Sequence, residues 1–578
     1  MHQETQPFPR STRAGVLVTL GLFCLAPVSG SAQPQDLAAA DDGSVLYFSS
    51  ALRLKGSAEY PNSKIFKYAN GTYDLVDQVD PAVTLGLRFP NVSGDGRILA
   101  YDETASCVTG ASCQPMGAHG IVSGAKLPSA MTASGSLRIS HNGRFSLRFG
   151  GVTPSFVPTQ LYDLQIGTLS NVLGNVPRDG RQSVADDGTV FTTQGLWHNG
   201  EFNALKPTHT PLIAHVSADS TAVVYESSAN VVDHGGALIH VWYYNEVLYE
   251  YNPANGAEVQ LDQSPQLNLT IVGSPYFQPP TYFSLSVSND GRTVLYRDST
   301  ANSAAPQAVL ANTDGTGRRV LTAENSGITE TVLSGDGHRA YAVTGGGALL
   351  SINVDSGDIE RLLPDAPLIN QPGTAVVPGS FVILYGQSLT TAAGQSQVGI
   401  AGYSAPLLNS SSRSITLQVP WELDLSSPAT FIAADPASPF EQATPIQPVA
   451  AAPQFLGVVH QDFRGAPTSS DPAHPGEIMA FYMTGLGPVS PQVATGLPAP
   501  LDILSNAQLP LSCQWNVFGN GPVGEVLFAG LAPGQIGVYQ VNVRVAANLD
   551  YGQLSCSSLL PSGSQSKATL ISFPVAVP

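Results

Sequence analysis

Residues Ser286–Thr300 read SVSNDGRTVLYRDST: an apolar step, then Ser-x-Asp-Gly, then an alternating run through Tyr296. Asp-Gly between two β-type runs is a strong hairpin signal, because both residues tolerate positive φ and a tight turn requires it. The upstream Ser can bond to the turn backbone. After the turn, apolar and polar residues alternate with a period of two, the signature of a strand with one face in a core.

The phrase recurs. It stands as AADDGSVLYFSS from Ala39, NVSGDGRILAYDET from Asn91, RISHNGRFSLRFG from Arg138, SVADDGTVFTTQ from Ser183, HVSADSTAVVYESS from His215 and VLSGDGHRAYAVT from Val332, making seven copies with the first quoted. The Ser column holds Ser93, Ser140, Ser217, Ser288 and Ser334, with Ala40 and Ala185 in the other two copies. The Asp column holds Asp42, Asp95, Asp187, Asp219, Asp290 and Asp336, with Asn142 once. Gly follows in six copies and Ser220 replaces it in the fifth. Tyr47, Tyr101, Tyr225, Tyr296 and Tyr341 lie on the strand that follows the turn and should fill space between packed sheets.

Between phrases lie further strand–turn–strand pairs such as KIFKYANGTYDLVD and ALLSINVDSGDIERLL, so one repeat is about four strands. The steps between successive turn positions are 53, 47, 45, 32, 71 and 46 residues, with the short fourth step offset by the long fifth. A four-stranded unit of roughly 40–50 residues is a propeller blade. Seven copies predict an all-β, seven-bladed β-propeller over 33–367. Ser-x-Asp-Gly followed by an apolar–Tyr strand and an Asp-Gly hairpin, as in AVLANTDGTGRRVLT, resembles the TolB-like, WD40-like repeats of periplasmic and secreted bacterial proteins. That resemblance implies a scaffold and carries no catalytic residues over.

Beyond residue 368 the phrase stops. INQPGTAVVPGSFVILYGQSL resembles the opening of an immunoglobulin-like (IPT/TIG) module, which predicts a unit over 368–452. VPWEL, the TGLG segment and AGLAPGQIGVYQVNV resemble an uncharacterised C-terminal domain of secreted acidobacterial proteins, so a second β-sandwich unit is expected over 453–578.

Residues 1–32 read as a secretory signal: Arg10 and Arg13, an apolar run Ala14–Val28, then Gly30 and Ala32 before a cleavage point. No later stretch is apolar and long enough to span a bilayer. The protein is therefore expected to be secreted, periplasmic or on the cell surface. An oxidising compartment makes Cys107, Cys113, Cys513 and Cys556 disulfide candidates, with local pairing the simplest and Cys513 and Cys556 joining strands that flank the Tyr-Gln-Val-Asn-Val strand.

Charged residues are only 12% of the chain against a usual ~25%, and the formal net charge is −18. Nucleic-acid binding needs clustered Lys and Arg, which are absent here, so it is not expected. The sequence contains no nucleophile elbow, zinc-protease motif, phosphate loop or full calcium loop. No catalytic, cofactor or metal residues are assigned. Paired carboxylates such as Asp41/Asp42 and Asp186/Asp187 read as turn residues, and His234 and His240 as packed or solvated.

One stretch stands apart: HVWYYNEVLYEY, His240–Tyr251, in the long interval. Trp242, Tyr243, Tyr244, Tyr249 and Tyr251 either offer sugar-stacking faces or lie in a strand buried on both sides. Trp197, Trp421 and Trp515 read as core anchors. The function expected is an exported, non-catalytic binding or scaffold protein whose propeller face recognises a protein or glycan. The rival is an exported lyase or glycosidase with its site in the propeller funnel.

Overall fold

The computed structural model describes all residues except 1–32, 60–61, 80–85, 105–114, 123–124, 127–135, 150–158, 173–183, 193, 204–206, 234–238, 273–283, 299–304, 366, 370–374, 392–393, 396, 517–520, 548, 550 and 577–578. The expected signal at 1–32, Cys107, Cys113 and His234 fall outside the described residues. Every regular element among the described residues is a strand.

The repeated phrases become seven successive antiparallel sheets. In six of them the phrase supplies the first two strands and the turn between them; in the fourth it supplies one strand and a bridge. The first sheet runs Gln35–Ala39, Val45–Ser50, Lys64–Ala69, Thr72–Asp77 in spatial order, and the seventh Ile328–Leu333, Arg339–Thr344, Leu349–Asn353, Ile359–Leu363. The two irregular steps have local causes. The fourth sheet is short, with strands Val190–Thr192, Gly195–His198 and Glu201–Phe202 and a single bridge from Val184 to Val190. The fifth carries a long hairpin, Val223–Asp233 and Ile239–Tyr251, to which Leu267–Val272 adds as a further strand.

Second strands hold the cores between sheets. Tyr101, Tyr225, Tyr296 and Tyr341 are at most 1% exposed, alongside Leu46, Val223 and Leu295. Each such aliphatic side chain contributes about 1.5–3 kcal/mol relative to exposure. Buried tyrosine hydroxyls need partners. Tyr47 donates to Gly96 O at 3.2 Å, Tyr101 to Asp77 Oδ2 at 2.5 Å, and Tyr341 to Gly43 O at 2.5 Å. These three bonds tie neighbouring sheets together, the last joining the seventh to the first.

The C-terminal part is layered. A four-stranded sheet containing Phe381–Gln387 and Ser414–Gln418 faces one containing Gln397–Ile400, Ala429–Ala434 and Phe440–Ile446, around a core with Val382, Leu417 and Phe431. Arg53–Leu54, from the first repeat, pairs with Phe440 and Glu441 and so extends that second sheet. The last unit pairs a six-stranded sheet, with Gln454–His460, Ile478–Thr484, Tyr539–Arg544 and Glu525–Leu531 as neighbours, with a three-stranded one. Trp515 and Tyr539 are fully buried between them. The Val-Pro-Trp-Glu-Leu motif joins the two units: Trp421 packs on the last core and its backbone N–H donates to Thr495 Oγ1 at 3.0 Å.

Cys513 and Cys556 form a disulfide. Their strands flank the Tyr539–Arg544 strand in the chain. In space they pair directly with each other, Cys513 opposite Cys556, in the three-stranded sheet across the core from it.

Candidate functional site

Each repeated turn is closed by its own side chains. Ser93 Oγ donates to Asp95 Oδ1 at 2.7 Å, and that oxygen also accepts from Arg97 N at 3.0 Å. Ser93 Oγ accepts from Ile98 N at 2.9 Å. The same serine hydroxyl bond spans 2.7 Å at Ser217–Asp219, 2.7 Å at Ser288–Asp290 and 2.6 Å at Ser334–Asp336, and 2.8 Å at Ser140, where the acceptor is the Asn142 amide oxygen. Gly43, Gly96, Gly143, Gly188, Gly291 and Gly337 all take positive φ, and Ser220 adopts the same region at φ 63°. The repeated Ser and Asp are consumed by the turn and are unavailable as a nucleophile and base.

The residue between Ser and Asp does something else. The seven turns are linked to one another at this position. Asp41 N donates to Gly94 O at 2.8 Å, Gly94 N to His141 O at 2.6 Å, and Asn142 Nδ2 to Asp186 O at 2.9 Å. Asp186 N donates to Ala218 O at 2.9 Å, Asp219 N to Asn289 O at 3.3 Å, Asn289 N to Gly335 O at 2.8 Å, and Asp336 N back to Asp41 O at 2.9 Å. The circuit closes on itself. Behind it the first strands of six of the seven sheets, with Val184 ahead of the fourth, surround a channel of about 30 Å³ lined by Leu37, Val92, Ile139, Val216, Leu285 and Val332. One water needs ~10–15 Å³ of such space, so the channel admits one or two waters and no substrate.

The chemistry gathers at the mouth. A Cβ on Gly94 would stand 2.0 Å from Asp41 Oδ2, and one on Gly335 2.1 Å from Asp41 Oδ1 and 2.5 Å from Asn289 Nδ2. Both glycines are therefore required for the Asp41 carboxylate to lie over the axis. His141 Nδ1 stands 2.7 Å from Asp41 Oδ1, with the histidine side chain 16% exposed and the aspartate 41%. Asn289 Oδ1 is enclosed and accepts no hydrogen bond. Burial pushes the Asp186 carboxyl above its ordinary range; Asp41 and Asp187 add to this, while the Asn142 N–H and His141 oppose it. Outside lies a collar of exposed turn acids. Asp42 and Asp95 are held below the ordinary range, chiefly by the hydroxyls of Ser44 and Ser93. Arg97 and Arg292 reach Asp95 and Asp290 only at 3.8 Å each. The mouth is thus an acceptor-rich, acidic surface suited to a cationic group. No metal-holding group of three or more His, Cys, Asp or Glu occurs among the described residues.

The aromatic stretch His240–Tyr251 is placed differently. Tyr244, Tyr249 and Tyr251 are 2%, 8% and 0% exposed. Tyr249 stacks on His209 at 4.3 Å and packs on Tyr225 at 5.6 Å. These three have no open ring face. Trp242 and Tyr243 are half-buried toward the hairpin end, where His240 Nδ1 lies 2.6 Å from Asp233 Oδ2. Trp197 and Trp515 are core residues at 2% and 0% exposed. The mouth residues Asp41, His141, Asp186 and Asn289 were not singled out as a group by sequence. Their signal is the column between Ser and Asp, which reads Asp, Gly, His, Asp, Ala, Asn, Gly, the variable letter inside an otherwise repeated phrase.

No family model matches the sequence, and no curated protein does. Among solved structures, a putative TolB from Agrobacterium tumefaciens is 14% identical, covering 50% of this chain and 84% of its own, at a TM-score of 0.29. An oligogalacturonate lyase in complex with manganese is 13% identical over 58% of this chain and 79% of its own, at 0.26. A chain of a mitotic checkpoint complex is 11% identical over 58% of this chain and 99% of its own, at 0.32. Similarity at this level carries no argument about binding or activity.

Proposed function

We propose that this is an exported binding protein. Residues 33–367 form a seven-bladed propeller, and 368–452 and 453–578 form two Ig-like units that act as spacer or attachment. The signal at 1–32 directs export. The propeller's turn-side mouth receives a Lys- or Arg-rich segment of a protein partner. One observation carries this reading: the closed circuit of turn-to-turn hydrogen bonds, with Asp41 seated over Gly94 and Gly335. A sealed axis forces any ligand to meet the rim, and the rim is acidic. A second reading, an exported lyase or glycosidase, is favoured by the raised Asp186 beside Asp41 and His141.

The test is a peptide array of basic, acidic and neutral sequences probed with the secreted full chain, followed by titration. Basic peptides are expected to bind, with affinity falling as salt rises. An Asp41→Asn/Asp186→Asn variant should weaken them roughly tenfold or more. Binding that ignores both salt and the double variant would overturn the mouth as the site. Release of reducing ends from a polysaccharide, lost in Asp186→Asn, would establish the second reading.

A further inference from the structure

We propose that the last unit carries a separate binding site, a groove for a neutral oligosaccharide bounded by Phe463 and Tyr482. The groove encloses about 490 Å³ on the outer side of the six-stranded sheet, with Pro533, Gln535 and Gln540 completing its polar and apolar walls. That volume is in the range of small-ligand sites. No described residue that lines it is charged. Phosphates, carboxylates and cationic side chains would therefore enter it without a counter-charge, which disfavours them.

The two rings are presented in different ways. Tyr482 lies on Ile478–Thr484, opposite Gly457 on one neighbouring strand and Gln540 on the other. Gly457 leaves open space where a side chain would stand. The Gln540 amide is oriented by donating from Nε2 to Asn542 Oδ1 at 2.9 Å. Phe463 is 63% exposed and sits at φ 59°, a region that a bulky residue rarely adopts. It joins no hydrophobic cluster, so packing of its ring does not explain the conformation. Its turn is imposed from outside. Phe463 N donates to His460 O at 2.9 Å and His460 N to Gly465 O at 3.0 Å. Arg464 donates to Asp462 Oδ2 at 2.8 Å, Asp471 Oδ2 at 2.9 Å and Glu477 Oε1 at 3.2 Å. Beneath it, fully buried His460 places Nδ1 2.6 Å from Glu477 Oε1. A strained residue held by an over-determined turn marks pre-organisation for a ligand.

The ligand class follows from the lining. A pyranose has an apolar C–H face that stacks on aromatic rings and hydroxyls that both donate and accept. Glutamine amides also do both. Two rings, a proline and two amides without charge match a neutral glycan.

The experiment titrates the secreted full chain calorimetrically with cellohexaose, laminarihexaose, xylohexaose and mannohexaose. At least one should bind, with Phe463→Ala and Tyr482→Ala each weakening it roughly tenfold and Tyr482→Phe retaining it. Phe463→Gly should abolish binding with little change in Tm, because the strain relieved at positive φ is offset by the chain entropy glycine adds to the unfolded state. Asp41→Asn/Asp186→Asn should leave these titrations unchanged, which separates this site from the axial mouth. The proposal is overturned if none of the four sugars binds or if binding survives both alanine variants.

Discussion

The turn at Ser93–Gly96 and the turn at His460–Gly465 are both tight and both held by side chains, yet they assign positive φ to opposite kinds of residue. In the first, Gly96 takes φ 71° and the Ser93 and Asp95 side chains satisfy the local N–H groups. The device is cheap: the serine bond occurs in five of the seven copies and glycine at positive φ in six. In the second, Phe463 takes φ 59°, and Arg464 must engage Asp462, Asp471 and Glu477 to keep it there. The repeated device minimises strain and leaves one position free to vary. The single-copy device stores strain in order to present a ring. Function in the first seven sheets is therefore sought in the letter that changes, and in the last unit in the backbone that is forced.

The largest expected effect concerns how independently the two regions stand. The Cys513–Cys556 bond closes a loop with a sequence separation of 43. Replacing both cysteines by serine should lower the stability of the last unit by about 2–4 kcal/mol. Calorimetry should show one transition moving down while the transition of the seven sheets stays. A single transition that shifts as a whole would mean that Arg53–Leu54 and Trp421 couple the regions into one cooperative body.

The regions also differ in how they hold buried acids. In the fifth sheet Glu246 is fully buried, accepting from Ser228 and bonded to the carboxyl of Glu226, with burial pushing it up to about 7. In the last unit burial acts on Glu477 as well, but the His474 N–H, His460 and Arg464 outweigh it and hold the carboxyl below its ordinary range. The signs are opposite. Glu246 binds a proton in the folded state that an ordinary glutamate, near 4.5, has already released, so its stabilising share is lost as pH rises from about 4.5 to 7. Glu477 stabilises above the ordinary glutamate range, and its share is lost as pH falls through its lowered value. Glu246→Gln should therefore stabilise the protein by about 1–3 kcal/mol at pH 8 and change little at pH 4. Urea unfolding at the two pH values checks this, and a pH-independent effect would refute it. Glu250, also pushed to about 7 by burial and by Asp314, should leave a residual slope in the variant.

What could be read in the sequence was whatever turn chemistry repeats locally. Ser, Asp and Gly recur because every copy must satisfy the same N–H groups within about five residues, and Tyr recurs because each second strand faces a neighbouring sheet. Meetings across the chain could not be read. Glu330 accepts from Asp36 N at 2.6 Å and Leu37 N at 2.9 Å, joining the seventh sheet to the first across 294 residues, and nothing near either site announces it. Asp41 looked like half of a turn pair because its two glycine neighbours at the axis, Gly94 and Gly335, lie 53 and 294 positions away. The alternation in HVWYYNEVLYEY correctly indicated a strand. It could not distinguish a strand covered on both faces, as at Tyr244, Tyr249 and Tyr251, from one with an open face. Phe463 carries no signal of its own in the sequence, since its backbone is held by the pairing of Arg464 with Asp462, Asp471 and Glu477, which no repeat marks.

The smallest expected effect tests whether the one irregular copy of the phrase is a flaw or a device. Ser220 occupies the glycine position at φ 63°, where a Cβ is unfavourable by roughly 1 kcal/mol. Its hydroxyl donates to Asp187 Oδ1 at 3.0 Å, reaching from the fifth turn to the fourth, next to the bond from Asp186 N to Ala218 O. Ser220→Gly would relieve the backbone and lose an exposed hydrogen bond worth about 0.5–1 kcal/mol, while adding chain entropy to the unfolded state by a similar amount. The two losses together match or slightly exceed the relief, so the variant should lower stability by no more than about 1 kcal/mol. If denaturant titration instead shows a loss well above about 1 kcal/mol, the Ser220–Asp187 bond is holding the shortest sheet in the circuit. The substitution would then mark the place where the repeat gave up its own turn residue to close the ring.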